Sequence, residues 1–205
     1  MGRVLVGCEF SGVVRRAFMS LGHDAWSCDV LPADDGGPHF QCDVRDILGD
    51  GWDLAVFHPP CTHLAVSGAR YFHRKQAEQA EALDFVRLLL DAPIPRIALE
   101  NPVSIISTKI RKPDQIIQPY MFGHPESKKT CLWLKNLPLL RPTELLRVSG
   151  RWENQTPSGQ NRLGPSPDRW KIRSKTYLGI ASAMASQWGR VLASCDLVDQ
   201  TMVDR

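Results

Sequence analysis

A cysteine that follows an apolar run and two prolines is the first group in this chain whose setting invites chemistry. In Asp53-Leu54-Ala55-Val56-Phe57-His58-Pro59-Pro60-Cys61, the four apolar residues Leu54 to Phe57 predict a strand covered on both faces. The prolines cannot extend a hydrogen-bond ladder, so the chain leaves the sheet just before Cys61. Ligands of open α/β sheets bind beyond the carboxyl ends of the strands, which puts the thiol where a nucleophile would stand. The competing reading is a small buried hydrophobe. Arg96-Ile97-Ala98-Leu99-Glu100-Asn101-Pro102 repeats the plan, with Glu100 and Asn101 closing a second short strand, Ile97 to Leu99. If the two strands are neighbours, Glu100 emerges at the same sheet edge as Cys61. Glu100 and Asn101 also read as caps of a helix over Val103 to Ser107, with Pro102 near its first turn, and the two readings are compatible. His58, Cys61 and His63 are close enough to raise a metal site, but no fourth ligand is indicated and none is expected.

A nucleotide-type cofactor site is the second candidate. Val4 to Val6 predict a strand, Gly7-Cys8-Glu9-Phe10-Ser11-Gly12 a turn, and Val13 to Leu21 an amphipathic helix, the first half of a βαβ unit. Glycine lets backbone come close to a ligand, although this turn is not the dinucleotide Gly-x-Gly-x-x-Gly pattern. Asp29 ends the next strand, Ala25 to Cys28, where a carboxylate can accept from two ribose hydroxyls. Asp43, in Cys42-Asp43-Val44, is a third acidic position, with Asp46 as its alternative; either also reads as a helix cap or a solvated loop charge.

Together these segments resemble the cytosine-C5 DNA methyltransferase family, in a short, phage-type form. That family has Pro-Cys after one strand and Glu-Asn after another, matched by Pro60-Cys61 and Glu100-Asn101. Its block Tyr-Gly-x-Pro-Gln-x-Arg-x-Arg is matched in part by Phe122-Gly123-His124-Pro125-Glu126-Ser127-Lys128-Lys129-Thr130, ahead of a strand from Cys131 to Leu134. Its last motif is similar to Tyr177 to Trp188, a small-residue helix. Thr62, Thr130 and Ile180 stand where the family has glutamine, the arginine that touches the target base, and asparagine.

The resemblance implies S-adenosylmethionine as cofactor, held by Gly7, Glu9, Phe10, Asp29, Asp43, Pro59 and Gly179, with Asp43 at the adenine amino group. It implies Cys61 as the nucleophile at carbon 6 of cytosine, Glu100 at ring nitrogen 3 and Asn101 fixing the carboxyl, with Lys128, Lys129, Thr130, Lys171 and Arg173 toward the substrate. Addition of a thiolate at carbon 6 turns the ring into an enamine able to attack a methyl sulfonium. A cytosine in duplex DNA would have to leave the stack to reach Cys61. DNA is the expected partner, and a free cytosine nucleotide is the alternative acceptor, because the interval of residues 136–175 is too short for a full target-recognition domain. An amino-methyltransferase is a second alternative, since His58-Pro59-Pro60-Cys61 is similar to that class's Asp-Pro-Pro-Tyr turn. A catalytically degenerate nucleic-acid-binding module is the third.

The elements that must position these residues alternate strand and helix, which predicts a doubly wound, Rossmann-like α/β sheet; the resemblance implies that it is of the S-adenosylmethionine-dependent methyltransferase type. Lys75 to Asp91 predicts the helix between the cysteine and glutamate strands, apolar at Ala82, Leu83, Phe85, Val86, Leu88, Leu89 and Leu90. Residues 196–205 carry no periodic signal and are expected to fray. A chain of 205 residues with 43% hydrophobic content predicts one domain, 1–205, with a basic loop insertion at about 141–175. No run is apolar enough for a membrane span or a signal core, so a soluble, cytoplasmic protein is expected. Cys8, Cys28, Cys42, Cys61, Cys131 and Cys195 form no Cys-x-x-Cys pair and read as reduced thiols. Charge is divided: residues 1–100 carry nine Lys/Arg against fourteen Asp/Glu, net −5, and the remaining 105 carry sixteen against eight, net +8. The basic half, with Trp152 and Trp170 in its loop, has the composition to meet phosphates and stack on bases.

Overall fold

The computed structural model describes residues 1–159 and 161–203, with side chains described as far as residue 192. Seven strands form one sheet: β1 Arg3–Gly7, β2 Asp24–Asp29, β3 His39–Gln41, β4 Leu54–Phe57, β5 Ile97–Pro102, β6 Gln115–Ile117 and β7 Thr130–Lys135, in the order β3-β2-β1-β4-β5-β7-β6. The first five run parallel; β7 is antiparallel to both β5 and β6. Helices α1 Val13–Met19, α2 Gln76–Leu90, α3 Ile106–Lys109, α4 Arg169–Ser174 and α5 Leu178–Val203 complete it. This is the doubly wound, Rossmann-like α/β architecture that strand and helix alternation predicts. The strand order reverses between β1 and β4, so their carboxyl ends flank the crevice where such sheets bind ligands.

Burial explains why the strands were readable. All four residues of β4 are buried, and their side chains divide between two cores by the period of two. Leu54 and Val56 join Val4, Val6, Val14, Phe18, Met184 and Trp188 beneath α1 and α5. Ala55 and Phe57 join Leu5, Leu83, Val86, Leu89 and Leu99 beneath α2. Within α2 only Leu83, Val86 and Leu89 are buried, whereas Leu88 is 40% exposed, so one stripe of the apolar run packs on the sheet.

Several expectations need correction. β5 does not stop at Leu99; it continues through Glu100 and Asn101 to Pro102, which pairs with Thr130. Glu100 and Asn101 are therefore strand residues, and the helix expected over Val103–Ser107 contracts to the single turn of α3. The antiparallel β7 supplies the ladder that holds this extension. β3 and β6, three residues each, had no readable pattern. The basic segment of residues 141–175 contains α4 and is not loop throughout. The backbone of α5 is helical to Val203, within the stretch expected to fray, and no proline or glycine interrupts residues 190–203; residues 204–205 and the side chain of Cys195 lie outside what is described.

Candidate active site

Cys61 follows the two prolines at the carboxyl end of β4 and is exposed. The turn that carries it is pinned from the neighbouring strand. Asn101, 1% exposed, donates its Nδ2–H to the Pro59 carbonyl at 2.9 Å, and Leu64 and Ala65 N–H groups close the turn onto the Cys61 carbonyl at 3.0 and 2.9 Å. The rest of the loop adheres to the segment after β5, with Val66 N–H on the Val103 carbonyl and Ile105 N–H on the Leu64 carbonyl. The two strand ends that resemble catalytic motifs are thus fastened to one another.

Glu100 lies within electrostatic reach of Cys61. Its Oε2 is 3.2 Å from His58 Nδ1, and both side chains are largely buried, 16% and 10% exposed. Burial pushes the Glu100 carboxyl up, but hydrogen bonds from His58 and Thr130 and the nearby Lys128 charge outweigh it, and the net direction is below the ordinary value. Glu100 is therefore held as a carboxylate. For the Cys61 thiol the balance goes the other way: desolvation and then the Glu100 charge raise it, with Lys128 and Arg173 opposing.

Of the residues carried to the substrate side by the resemblance, Lys128 and Arg173 converge on this site. Lys128 Nζ donates to the Arg173 carbonyl at 2.9 Å, and both cations face Cys61. Lys129 is exposed and acts on Cys131. Thr130 is buried, with its hydroxyl near the Lys128 carbonyl at 3.2 Å and within hydrogen-bonding reach of Glu100. Lys171 lies on α4 with its Nζ 5.6 Å from the Trp170 ring centroid.

The cofactor-side expectations divide. Asp29, the last residue of β2, and Asp43, beyond β3, both act on Cys8, whose thiol is pushed up to about 12, chiefly by burial and then by these two carboxylates. Asp29 is half-buried and accepts at Oδ1 from Leu31 N–H at 3.0 Å. Asp43 instead spends itself locally, accepting from the backbone and guanidinium of Arg45 as the cap of the turn Val44–Ile47. Glu9 is 5% exposed and accepts at Oε1 from Val14 N–H at 2.8 Å, capping α1. Gly7 is required by packing, because a Cβ there would lie 2.6 Å from the Phe57 ring. Gly179 likewise abuts the Phe122 carbonyl, 1.9 Å from a Cβ position, and donates to His124 Nε2. Phe10 is buried and meets Trp170 at 5.7 Å between ring centroids.

That last contact was not readable in sequence. It ties α4 to the β1–α1 turn, and the Lys175–Asp34 ion pair at 2.9 Å ties the residue after α4 to the β2–β3 segment. Trp152 stacks on Tyr120 at 4.4 Å and 8°. Asn154 brackets Ser127, donating to its carbonyl and accepting from its N–H, which ties down a loop whose composition read as free surface. Among the described residues no group of three or more His, Cys, Asp or Glu is placed to hold a metal, and no helix is long and apolar enough to cross a membrane.

The order β3-β2-β1-β4-β5-β7-β6, with β7 antiparallel, is a doubly wound, Rossmann-like α/β arrangement. Among solved structures the chain is similar to a candidate DNA modification methyltransferase encoded within an E. coli prophage, with a TM-score of 0.46 and 14% identity over 73% of this chain and 53% of that one. It is also similar to a mutant of Spodoptera frugiperda DNMT2, with a TM-score of 0.41 and 14% identity over 74% and 56%. The chain spans about half the length of either. No family model and no curated protein matches it.

Proposed function

We propose that this chain transfers a methyl group from S-adenosylmethionine to carbon 5 of cytosine in DNA, through a covalent adduct with Cys61. The observation that carries this reading is the pairing of an exposed thiol on a pinned Pro-Pro turn with a buried, hydrogen-bonded carboxylate from the next strand, and Lys128 beside both.

Asp29 fits a sulfonium nucleoside: it lies within electrostatic reach of Cys8, the residue after β1, and has the strand-end position from which a carboxylate meets ribose hydroxyls. Asp43 fits the adenine amino group only if its hold on Arg45 is relinquished. When bound, S-adenosylmethionine supplies a methyl group as an electrophile. The Cys61 thiol loses its proton to water, its thiolate Sγ bonds to carbon 6, and the 5,6 electron pair shifts to carbon 5, which takes the methyl group and leaves a neutral thioether on the donor. Glu100 faces nitrogen 3; as the ring displaces water, the burial that already pushes its carboxyl up gains weight, and it takes up a proton to share with that nitrogen. Once carbon 5 is methylated, a base removes its proton, and the freed electron pair restores the 5,6 double bond and expels the Cys61 thiolate.

Incubation with methyl-labelled S-adenosylmethionine and, separately, duplex DNA, single-stranded DNA, RNA and cytidine nucleotides tests the acceptor. Label is expected at carbon 5 of cytosine in DNA, and none with Cys61→Ser, which should still bind cofactor. Label confined to free nucleotide overturns the DNA assignment; label on an exocyclic amine overturns the carbon-5 chemistry. Asp29→Ala should weaken cofactor binding by about 1–3 kcal/mol in calorimetry, through loss of charged hydrogen bonds. DNA binding should weaken as salt rises, and reversing charge at Lys171 and Arg173 should flatten that dependence by about one unit of slope for each phosphate no longer neutralised.

A further inference from the structure

His58 occupies the last position before the Pro-Pro turn, where its backbone N–H donates to the Gly7 carbonyl at 2.9 Å and its side chain is 10% exposed. Two observations define its chemistry. Nδ1 is 3.2 Å from Glu100 Oε2, and Nε2 is buried with no hydrogen-bond partner among the described residues. A carboxylate offers only acceptors, so the hydrogen bond requires the proton on Nδ1, and in the neutral ring Nε2 is then the bare nitrogen. A buried Nε2 has no access to solvent, and the ring acts through Glu100.

We propose that His58 is a positioning residue: its Nδ1–H grips one oxygen of Glu100 and keeps the other turned toward the acceptor base. The proposal rests on the reading of Glu100 as the group that meets the base. Glu100 needs such a grip because its strand end is crowded with competing groups. Cys61 faces it from the β4 turn, Lys128 and Thr130 from the start of β7, and Cys131 from within β7, while Arg173 on α4 faces Cys61. Without a directional donor, Lys128 would draw the carboxylate away from the ring edge. The same hydrogen bond opposes the burial that favours a protonated Glu100, so its removal lets the carboxyl hold its proton to higher pH.

Carboxyl-labelled glutamate NMR tests this directly, with Glu100→Gln to assign the resonance. In His58→Phe, the Glu100 titration midpoint should rise by about one pH unit or more. His58→Asn, whose Nδ2–H lies near the place of the ring Nδ1–H, should restore it. The acid limb of the methyl-transfer rate should move with the midpoint, with acceptor KM changed by less than about twofold, whereas a merely structural role would lower activity at every pH alike. A folded His58→Phe protein with an unmoved midpoint overturns the proposal. Should that variant not fold, nitrogen-labelled histidine in the wild-type protein decides it at a pH where the ring is neutral: an Nδ1–H tautomer is expected, and an Nε2–H tautomer overturns it. A wild-type protein that methylates no base would sink the carbon-5 reading, yet the Glu100 titration would still report whether His58 holds it.

Discussion

Cys61 is poised between opposing charges. Desolvation and Glu100 keep its proton on, and Lys128 and Arg173 favour its loss, with the balance on the side of the thiol. Nucleophilic attack needs the thiolate, so the resting site is a restrained one. Alkylation by iodoacetamide should therefore rise with pH through a midpoint above the ordinary thiol value. Glu100→Gln removes the repelling charge and should shift the rise to lower pH; Lys128→Ala removes an attracting one and should shift it higher. Identical profiles for the three proteins would show that these side chains do not act on Cys61. The resemblance to the family's motifs located Cys61, Glu100 and Asn101, but it left Lys128 and Lys129 equivalent. Their contacts separate them: Lys128 donates to the Arg173 carbonyl and acts on Cys61 and Glu100, whereas Lys129 acts on Cys131.

Among the elements, the segment of residues 141–175 departs most from its sequence. Its serine, glycine, proline and basic residues read as a loop free to meet phosphates, yet it is anchored at both ends. Trp152 stacks on Tyr120, and Asn154 grips Ser127 immediately before Lys128. Trp170 rests on Phe10 and Lys175 on Asp34. Trp152→Ala should lower stability by about 1–2 kcal/mol in denaturant unfolding, through loss of stacking and burial. It should also open residues 149–159 to limited proteolysis. Unchanged cleavage would mean that the stack does not hold the loop. Trp170 is 51% exposed and contributes less to stability, but its removal releases α4 from the β1–α1 turn.

At the scale of the whole molecule, the charge division between the two halves is partly consumed within the fold. Lys175 of the basic half pairs with Asp34 of the acidic half, so the net +8 of the second half overstates by one what remains for a polyanion. The acidic half contains a clamp of its own. Arg15, 1% exposed, donates to Ser27 Oγ and the Pro38 carbonyl, each at 2.9 Å, and pairs with Asp35, which also binds Arg16. Burial pushes the Asp35 carboxyl up, but these guanidiniums and Gly37 N–H bring it down to about 2 from 3.8. A lowered carboxyl contributes stability in full above its unfolded value and loses it as pH falls through the folded one. Asp35→Asn should therefore cost about 2 kcal/mol at neutral pH, with the gap from wild type closing as pH falls toward about 2. A gap independent of pH in unfolding experiments would exclude the ionic clamp.

What the sequence by itself determined was the set of buried strands, the βα alternation and the thiol after Pro-Pro, because each leaves a local mark: four apolar residues in a row, a helical stripe, a proline that ends a ladder. The turn Gly7–Gly12 was equally legible, but the roles of its residues were not. Glu9 caps α1 and Gly7 makes room for Phe57, since a capping carboxylate and a close-packed glycine look in sequence like a ligand's contacts. Gly179 against the Phe122 carbonyl, Trp152 on Tyr120 and His58 on Glu100 join residues far apart in the chain, and β5 reaches Pro102 because β7 pairs with it. Such contacts form only when the sheet orders its strands and brings their ends together, so they belong to the tertiary structure and leave no periodicity to read.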